Sequence, residues 1–531
     1  MKGRSFLPCN LDLPESNIIS LAVALLFGVT GLMAAQQSEI VIDIRTSLGH
    51  ASPYLYGQFI EYMGQCIEGG IYDPGSTLAD ENGIRRDVLE KAKELAPTMI
   101  RFPGGTFVKT FHWMDGVGPR DQRRPSKNLI WGGINSFGFG TCEFIDYCRA
   151  IGCEPVLVVN LSTGTPDEAA NWVEYCNGTE NTYYANLRRS HGYEEPFRVK
   201  YWALGPEEAA EPDAGRHQDP HRYVEDVWHF IKLMKLTDPT IQLIADGERG
   251  IPEWNKTVMK GLDGAVDYIS FHGYVSTDSG RPFSIFHKID QVERELGEFH
   301  ALMQSCSQDS VTNWKKWYRF PPRQKPLKMA VDEWGIWEYQ QPPYGTTVTY
   351  EWRHALATAY YLNALLRCSA FVEMANWAQM VNILAPIRAD SLASVRQTVF
   401  YPLREYRRHT LPEVVGVQTV SPEADKGLQA LNAVATIDRQ AGKLVLFVVN
   451  VLPRAVKARI RIDEGKSVTV HQMTTLTAER LDAVNTLGQP DREVVSVKSE
   501  KPGRSLGDIT IAPEAIQIIH ASLPKQTIST P

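Results

Sequence analysis

TMIRFPG (98–104), TCEFIDYCRAIG (141–152), PVLVVN (155–160), DEAANWVEYCN (167–177) and KYWALG (200–205) set short apolar runs between longer segments whose apolar residues recur at helical spacing. Read in order they give strand, helix, strand, helix, strand. That alternation is how a chain builds a parallel sheet with crossover helices. Outward from this stretch the alternation continues. YLYGQFIE (54–61) and IRRDVLEKAKELA (84–96) precede it, and RYVEDVWHFIKLMKL (222–236), IQLIADG (241–247), PEWNKTVMKGL (252–262), DYISFHGY (267–274), DQVERELGEFHALMQ (290–304), KMAVDEW (328–334), RHALATAYYLNALLRC (353–368) and FVEMANWAQ (371–379) follow. Eight strands in one long region predict a closed (β/α)₈ TIM barrel over residues 52–387 rather than an open sheet.

After Pro386 the texture changes. VLFVVNVLP, KARIRIDE, SVTVHQMT, VVSVKSE and ITIAPEAIQIIH are short β-prone runs, predicting a second, all-β sandwich domain over 388–522. IVIDIR (40–45) precedes the barrel, and the 38–51 segment is expected to join that sandwich as a strand. Residues 523–531 read as a polar tail. The 1–37 segment carries the apolar run Ile18–Ala35 and fits a signal-like leader, a membrane anchor or a misassigned extension. Translation from Met33 would leave a cytoplasmic protein; otherwise the chain would be secreted or membrane-anchored.

The 531 residues exceed the size at which one core usually stops growing, in keeping with two domains. A net charge of -7 without a basic stripe argues against a nucleic-acid partner. The eight cysteines show no CxxC pair or zinc spacing and read as free buried thiols. No dinucleotide-type glycine turn follows a strand, and no Lys-Ser or Lys-Thr pair follows RFPGG, so Gly104 and Gly105 are expected to permit close backbone approach instead. No cofactor or metal is expected.

Polar groups gather at the carboxyl ends of the expected strands: Glu61, Arg101, Asn160, Glu207, His272, Glu333 and Gln379. A barrel enzyme collects its active site on that face. Glu207 ends strand four and Glu333 ends strand seven, opposite one another across the ring. Two such carboxyls suit glycoside cleavage, one protonating the leaving oxygen and the other attacking the anomeric carbon; in retaining enzymes they stand about 5–5.5 Å apart.

Over roughly Ile40 to His520 the chain resembles the α-L-arabinofuranosidases of glycoside hydrolase family 51. The resemblance rests on GQFIEYMGQCIEGGIYD (57–73), IRFPGGTFVKTFHWMDGVGP (100–119), FGTCEFIDYCRAIGCEPVLVVNLSTGTPDEAANWVEYCNG (139–178), YWALG (201–205), YISFHGY (268–274), VDEWGIW (331–337) and AQMVNILAPI (378–387). It implies Glu333 as nucleophile, Glu207 as acid/base and Glu61 as a grip on sugar hydroxyls. Arg101 would orient a carboxylate, and Asn160 and Gln379 would offer amides to substrate. His272 and Tyr274 would stand near the nucleophile, and Trp113 and Trp337 are candidates for the cleft wall. The implied partner is an arabinose-containing oligo- or polysaccharide such as arabinan, arabinoxylan or arabinogalactan. Homo-oligomers, often hexamers, are common in that family.

The pattern breaks at Pro206, where the family carries Asn directly before the acid/base, and again over Glu208–Gly215. Proline offers neither a side-chain donor nor a backbone N–H. Three readings stay open here: a working exo-acting retaining enzyme with an altered subsite, a weakened or non-catalytic glycan-binding relative, and another retaining glycosidase such as an endo-glucanase or xylosidase. The divergent segment could also reflect a faulty gene model.

Overall fold

The computed structural model describes residues 38–209, 214–306, 323, 325–338, 348–462, 469–502, 504–505 and 507–523. The expectations for residues 1–37, for 210–213 of the divergent stretch and for the tail after 523 lie outside them.

Eight parallel strands close into a barrel: β1 (Gly57–Phe59), β2 (Met99–Phe102), β3 (Glu154–Val159), β4 (Tyr201–Leu204), β5 (Gln242–Ala245), β6 (Tyr268–Val275), β7 (Lys328–Ile336) and β8 (Val372–Ala378). Each pairs with its sequence neighbour, and β8 returns to β1. The first strand is shorter than its sequence suggests. Pro53–Tyr56 form a 3₁₀ turn, with Ser52 Oγ accepting from the Tyr54 N–H.

Side chains alternate as the pleat requires. Met99, Val156, Val158, Tyr201, Ala203, Ile244, Tyr268, Ala330 and Met374 fill the barrel interior as one buried cluster. Leu157, Val159, Trp202 and Leu204 point the other way, into the layer shared with the helices. That outer layer is built from Arg86–Leu95, Thr141–Ile151, Pro166–Asn177, Pro220–Thr237, Pro252–Leu262, Ser284–Cys306 and Trp352–Arg367.

One more helix, Phe400–His409, completes it. It packs against both Trp352–Arg367 and Arg86–Leu95. The barrel therefore runs past residue 387, where the sequence reading ended it. FYPLREYRRH shows little apolar signal because four of its ten residues are Arg or Glu, and of these Arg404 meets Glu94 and Glu405. Phe400, Tyr401, Leu403 and Tyr406 face the core.

Beyond this helix lies the β-rich domain, one hydrogen-bonded sheet of ten strands. Ser38–His50 is among them, antiparallel to Glu413–Val420 and parallel to Val456–Ile462. One face encloses its own core with Ile40, Ile42, Leu446, Ile460 and Ile519. The other face, with Val434, Phe447 and Ile518, joins the barrel's outer core. Tyr406 stacks on Phe447 at 4.3 Å, and Asn363 donates to Asn432 Oδ1 at 2.7 Å across the junction. The seven described cysteines are free, and six are buried.

Candidate active site

The carboxyl ends of β1, β2, β4, β6, β7 and β8 bring their polar side chains together at one mouth of the barrel. On β7 simple alternation would send Asp332 and Glu333 to opposite faces. The register prevents that. Ala330 pairs with Ser270 and Glu333 with His272, so three steps on β7 oppose two on β6, and the same slip recurs against β8. This bulge re-aims the strand, and both acids reach the same cluster.

Arg101, fully buried, donates from Nη1 to Glu333 Oε1 at 2.5 Å and sets its Nε 3.4 Å from Asp332 Oδ2. Burial works against its charge, but the carboxylates of Asp332 and Glu333 more than offset this and raise its pKa. Its guanidinium also lies over the Phe59 ring at 4.9 Å. The second Glu333 oxygen accepts from the Tyr274 hydroxyl at 2.8 Å. With a donor on each oxygen, the Glu333 carboxylate is fixed in direction.

Glu207 faces it from β4. Its Oε1 lies 2.8 Å from His272 Nδ1, while that nitrogen is 3.7 Å from Glu333 Oε2. The histidine thus stands with the acid at 207 rather than beside the nucleophile candidate alone. Its Nε2 faces Asp332 Oδ1 at 3.5 Å. Burial disfavours the charged imidazole, yet Glu333, Asp332 and Glu207 together raise its pKa well above the ordinary value. Burial also opposes the charged form of Glu207, and the His272 hydrogen bond and charge outweigh it and lower its pKa. The His272–Glu207 hydrogen bond thus favours the charged form of both partners. One ligand atom from each of Glu207, His272 and Glu333 lies within 4.8 Å of the others, a spacing that could also hold a metal ion.

Glu61 lies beneath the cleft, 3 % exposed. Its Oε1 accepts from the Phe107 N–H and from Trp131 Nε1, both at 3.0 Å, and its Oε2 accepts from Gln379 Nε2 at 3.1 Å. Burial pushes its carboxyl up to about 7, against the pull of the Phe107 and Trp131 hydrogen bonds. Gly104 makes this packing possible: with φ +147°, a Cβ there would stand 2.3 Å from Glu61 Cγ. A Cβ on Gly105 would come within 3.1 Å of Glu333 Oε1. Gly104→Ala is expected to displace Glu61 and cost about 1–3 kcal/mol, as overpacking does; an unchanged urea midpoint would count against this.

Two expected cleft residues lie elsewhere. Asn160 spends its amide on its own loop and on the backbone at Phe111. Its Nδ2 donates to the Phe111 carbonyl and Thr163 Oγ1, and its Oδ1 accepts from the Ser162 and Thr163 N–H groups at 3.0 Å each. Trp113 is core, 2 % exposed, its ring parallel to Trp172 at 6.3 Å and its Nε1 donating to the Glu168 carbonyl. Trp337 remains at the site, half-buried and edge-on to Tyr274 at 5.2 Å. Asp332, Trp131 and Lys109 belong to the site and were not read from the sequence. Lys109, 1 % exposed, donates from Nζ to the Glu207 carbonyl at 3.0 Å.

Around Pro206 the chain turns sharply. Gly205 has φ +78° and Glu207 φ +44°. Glu208 turns away from the cleft, fully buried, with Oε2 2.7 Å from His217 Nδ1.

Comparison with known proteins agrees over most of the chain. Residues 91–294 match the α-L-arabinofuranosidase 1 domain and residues 332–511 the α-L-arabinofuranosidase C-terminal domain. α-L-arabinofuranosidase C of Emericella nidulans is 35 % identical over 500 residues, 89 % of this chain and 96 % of that protein. Intracellular exo-α-(1→5)-L-arabinofuranosidase 1 of Bacillus subtilis is 30 % identical over 473 residues, 85 % and 92 % of the two chains. The crystal structure of the Thermotoga maritima α-L-arabinofuranosidase arabinose complex superposes with a TM-score of 0.81 at 32 % identity, covering 92 % of this chain and all of that one.

Proposed function

Since the chain belongs to the α-L-arabinofuranosidases of glycoside hydrolase family 51, we propose that this cleft removes terminal, non-reducing α-L-arabinofuranosyl residues from arabinose-containing glycans, with Glu333 as nucleophile and Glu207 as acid/base. The observation that carries the assignment is that one oxygen of each carboxyl lies within 4.8 Å of the other, in keeping with the about 5–5.5 Å between carboxyl groups of retaining rather than inverting enzymes. Their surroundings divide the roles. Glu333 has a donor on each oxygen and no proton source of its own. Glu207 is the more exposed and adjoins the His272 imidazole, whose pKa its acidic neighbours raise.

In the first step a Glu333 oxygen attacks the anomeric carbon and the bond to the leaving oxygen breaks. Glu207 passes a proton to that oxygen, drawing on the one shared with His272. Forming the ester removes the negative charge on Glu333. Glu207, now a carboxylate, then takes a proton from water as the water attacks the same carbon. Two inversions give net retention. Gln379 Oε1 has no hydrogen-bond partner among the described residues and supports a contact to a sugar hydroxyl. Trp131 and Trp337 supply the apolar surfaces that a furanose face packs on. The intact acid cluster and the full-length similarity lend nothing to a non-catalytic reading.

Purified protein is expected to release 4-nitrophenol from 4-nitrophenyl α-L-arabinofuranoside and to liberate arabinose from branched arabinan. Proton NMR should show the α-anomer of arabinose first. Folded protein that releases nothing, or that yields the β-anomer first, would overturn the assignment.

A further inference from the structure

We infer that Asp246 and Glu248, just beyond β5, act with Lys109 as positioning residues that fix the backbone of residues 207–209 and so aim Glu207 at the leaving oxygen. The inference rests on the role proposed above for Glu207.

Glu207 has φ +44°, a left-handed conformation that residues other than glycine, asparagine and aspartate seldom adopt. Such a conformation persists only where the surroundings over-determine it, and it concentrates at functional sites.

Three successive residues here are each held by a buried ionisable side chain from another part of the barrel. Lys109 Nζ donates to the Glu207 carbonyl at 3.0 Å. The Glu208 N–H donates to Asp246 Oδ2 at 3.0 Å, and the Ala209 N–H to Glu248 Oε1 at 2.9 Å. Residues at this turn have no strand partner, so these side chains stand in for a ladder.

The holders are themselves fixed. The Asp246 N–H donates to the Tyr223 hydroxyl, and that hydroxyl donates to the Leu204 carbonyl, tying the ends of β4 and β5 together at 2.8 and 2.9 Å. Asn255 accepts from the Glu248 N–H and donates to its carbonyl. On the far side Glu208 meets His217, which meets Asp226 at 3.1 Å, anchoring the returning chain.

Asp246, Glu248 and Glu208 are 1 %, 5 % and 0 % exposed. Asp246 and Glu248 each accept from a backbone N–H of the loop, which engages them with the turn rather than with the cleft. Burial, with Glu248 and Glu208 adding to it, also holds the Asp246 carboxyl well above the usual range, so the acids pack together with less mutual repulsion.

Misplacing an acid/base has a signature that general destabilisation lacks. A phenol leaving group needs the proton, whereas 2,4-dinitrophenol departs without it. Asp246→Ala is expected to lower kcat/KM for phenyl α-L-arabinofuranoside about 30- to 100-fold, less than the roughly 10²- to 10⁴-fold of a missing acid because the acid is misaimed rather than removed, and for the 2,4-dinitrophenyl glycoside less than about threefold. Asp246→Asn keeps an acceptor oxygen for the Glu208 N–H and should stay within about threefold of wild type on both. Equal losses on the two substrates, or no loss on either, would overturn the inference. Should Asp246→Ala fail to fold, Glu248→Ala and Lys109→Met, read with the same pair of glycosides, decide it. Wild-type protein inactive on both glycosides would instead overturn the proposed function, so the two failures are distinguishable.

Discussion

Glu333→Ala is expected to abolish turnover of aryl α-L-arabinofuranosides, with kcat falling on the order of 10⁵- to 10⁶-fold, as when the nucleophile of a covalent mechanism is removed. The expectation follows from how the carboxylate is held. Arg101 fixes one oxygen at 2.5 Å and Tyr274 the other at 2.8 Å, and among the described residues the acids that meet the same cluster each have another duty. Asp332 faces Arg101 Nε and His272 Nε2, and Glu61 is bound by Phe107, Trp131 and Gln379. Neither can substitute.

The truncation also leaves space where the carboxylate stood. Azide should enter it, attack the anomeric carbon once, and yield β-L-arabinofuranosyl azide. A single displacement inverts, so this product, identified by NMR, marks the missing group as the nucleophile. Formation of the α-azide, or activity within tenfold of wild type, would remove Glu333 from that role. The variant should also be less stable. Losing one partner of a buried charge pair costs about 3–5 kcal/mol, and Arg101 would keep only Asp332 as a close carboxylate. Glu333→Gln fills the space and keeps one acceptor oxygen, for Arg101, while its NH2 can donate to the Tyr274 hydroxyl, and so separates the two effects: it should be as inactive as the alanine variant but closer to wild type in urea.

Much of this architecture was legible because burial on two faces leaves a strong pattern. PVLVVN and KYWALG could be little else than interior strands between helices, and their polar ends marked the catalytic face. What escaped depended on register and on three-dimensional partners. Period-two alternation puts Asp332 and Glu333 on opposite faces; only the three-against-two register with β6 brings both into the cluster. An asparagine at a strand end looks the same whether it faces ligand or its own loop. For Asn160 a signal did exist, because the following Ser162–Thr163–Gly164 run is the sequence of an Asx turn. Trp113 gave none: its stacking on Trp172 joins residues 59 positions apart. Asp246 and Glu248 read as ordinary loop acids after β5, since nothing local shows that a distant left-handed backbone needs their oxygens.

Glu207→Ala is expected to lose activity in proportion to the leaving group's need for a proton. For phenyl α-L-arabinofuranoside kcat/KM should drop about 10³-fold, within the 10²- to 10⁴-fold that general acid catalysis supplies. For the 2,4-dinitrophenyl glycoside bond cleavage should survive, and hydrolysis of the glycosyl-enzyme should become limiting, because the base that activates water is gone. Azide needs no base. It should accelerate the variant and give α-L-arabinofuranosyl azide, the retained product, opposite to that from Glu333→Ala. The pH profile carries the second half of the test. Burial opposes charge on His272, but Glu333, Asp332 and Glu207 raise its pKa well above the ordinary value, so the shared proton is present at low pH and is lost only as pH rises through that raised value. Wild-type kcat/KM should therefore hold through pH 6.5, about where a free imidazole loses its proton, and fall on a limb beyond it. In Glu207→Ala that alkaline limb should disappear, since no group remains to pass the proton on. A variant that keeps the wild-type alkaline limb, or that loses equally on phenyl and dinitrophenyl glycosides, would place the proton donor elsewhere in the cleft.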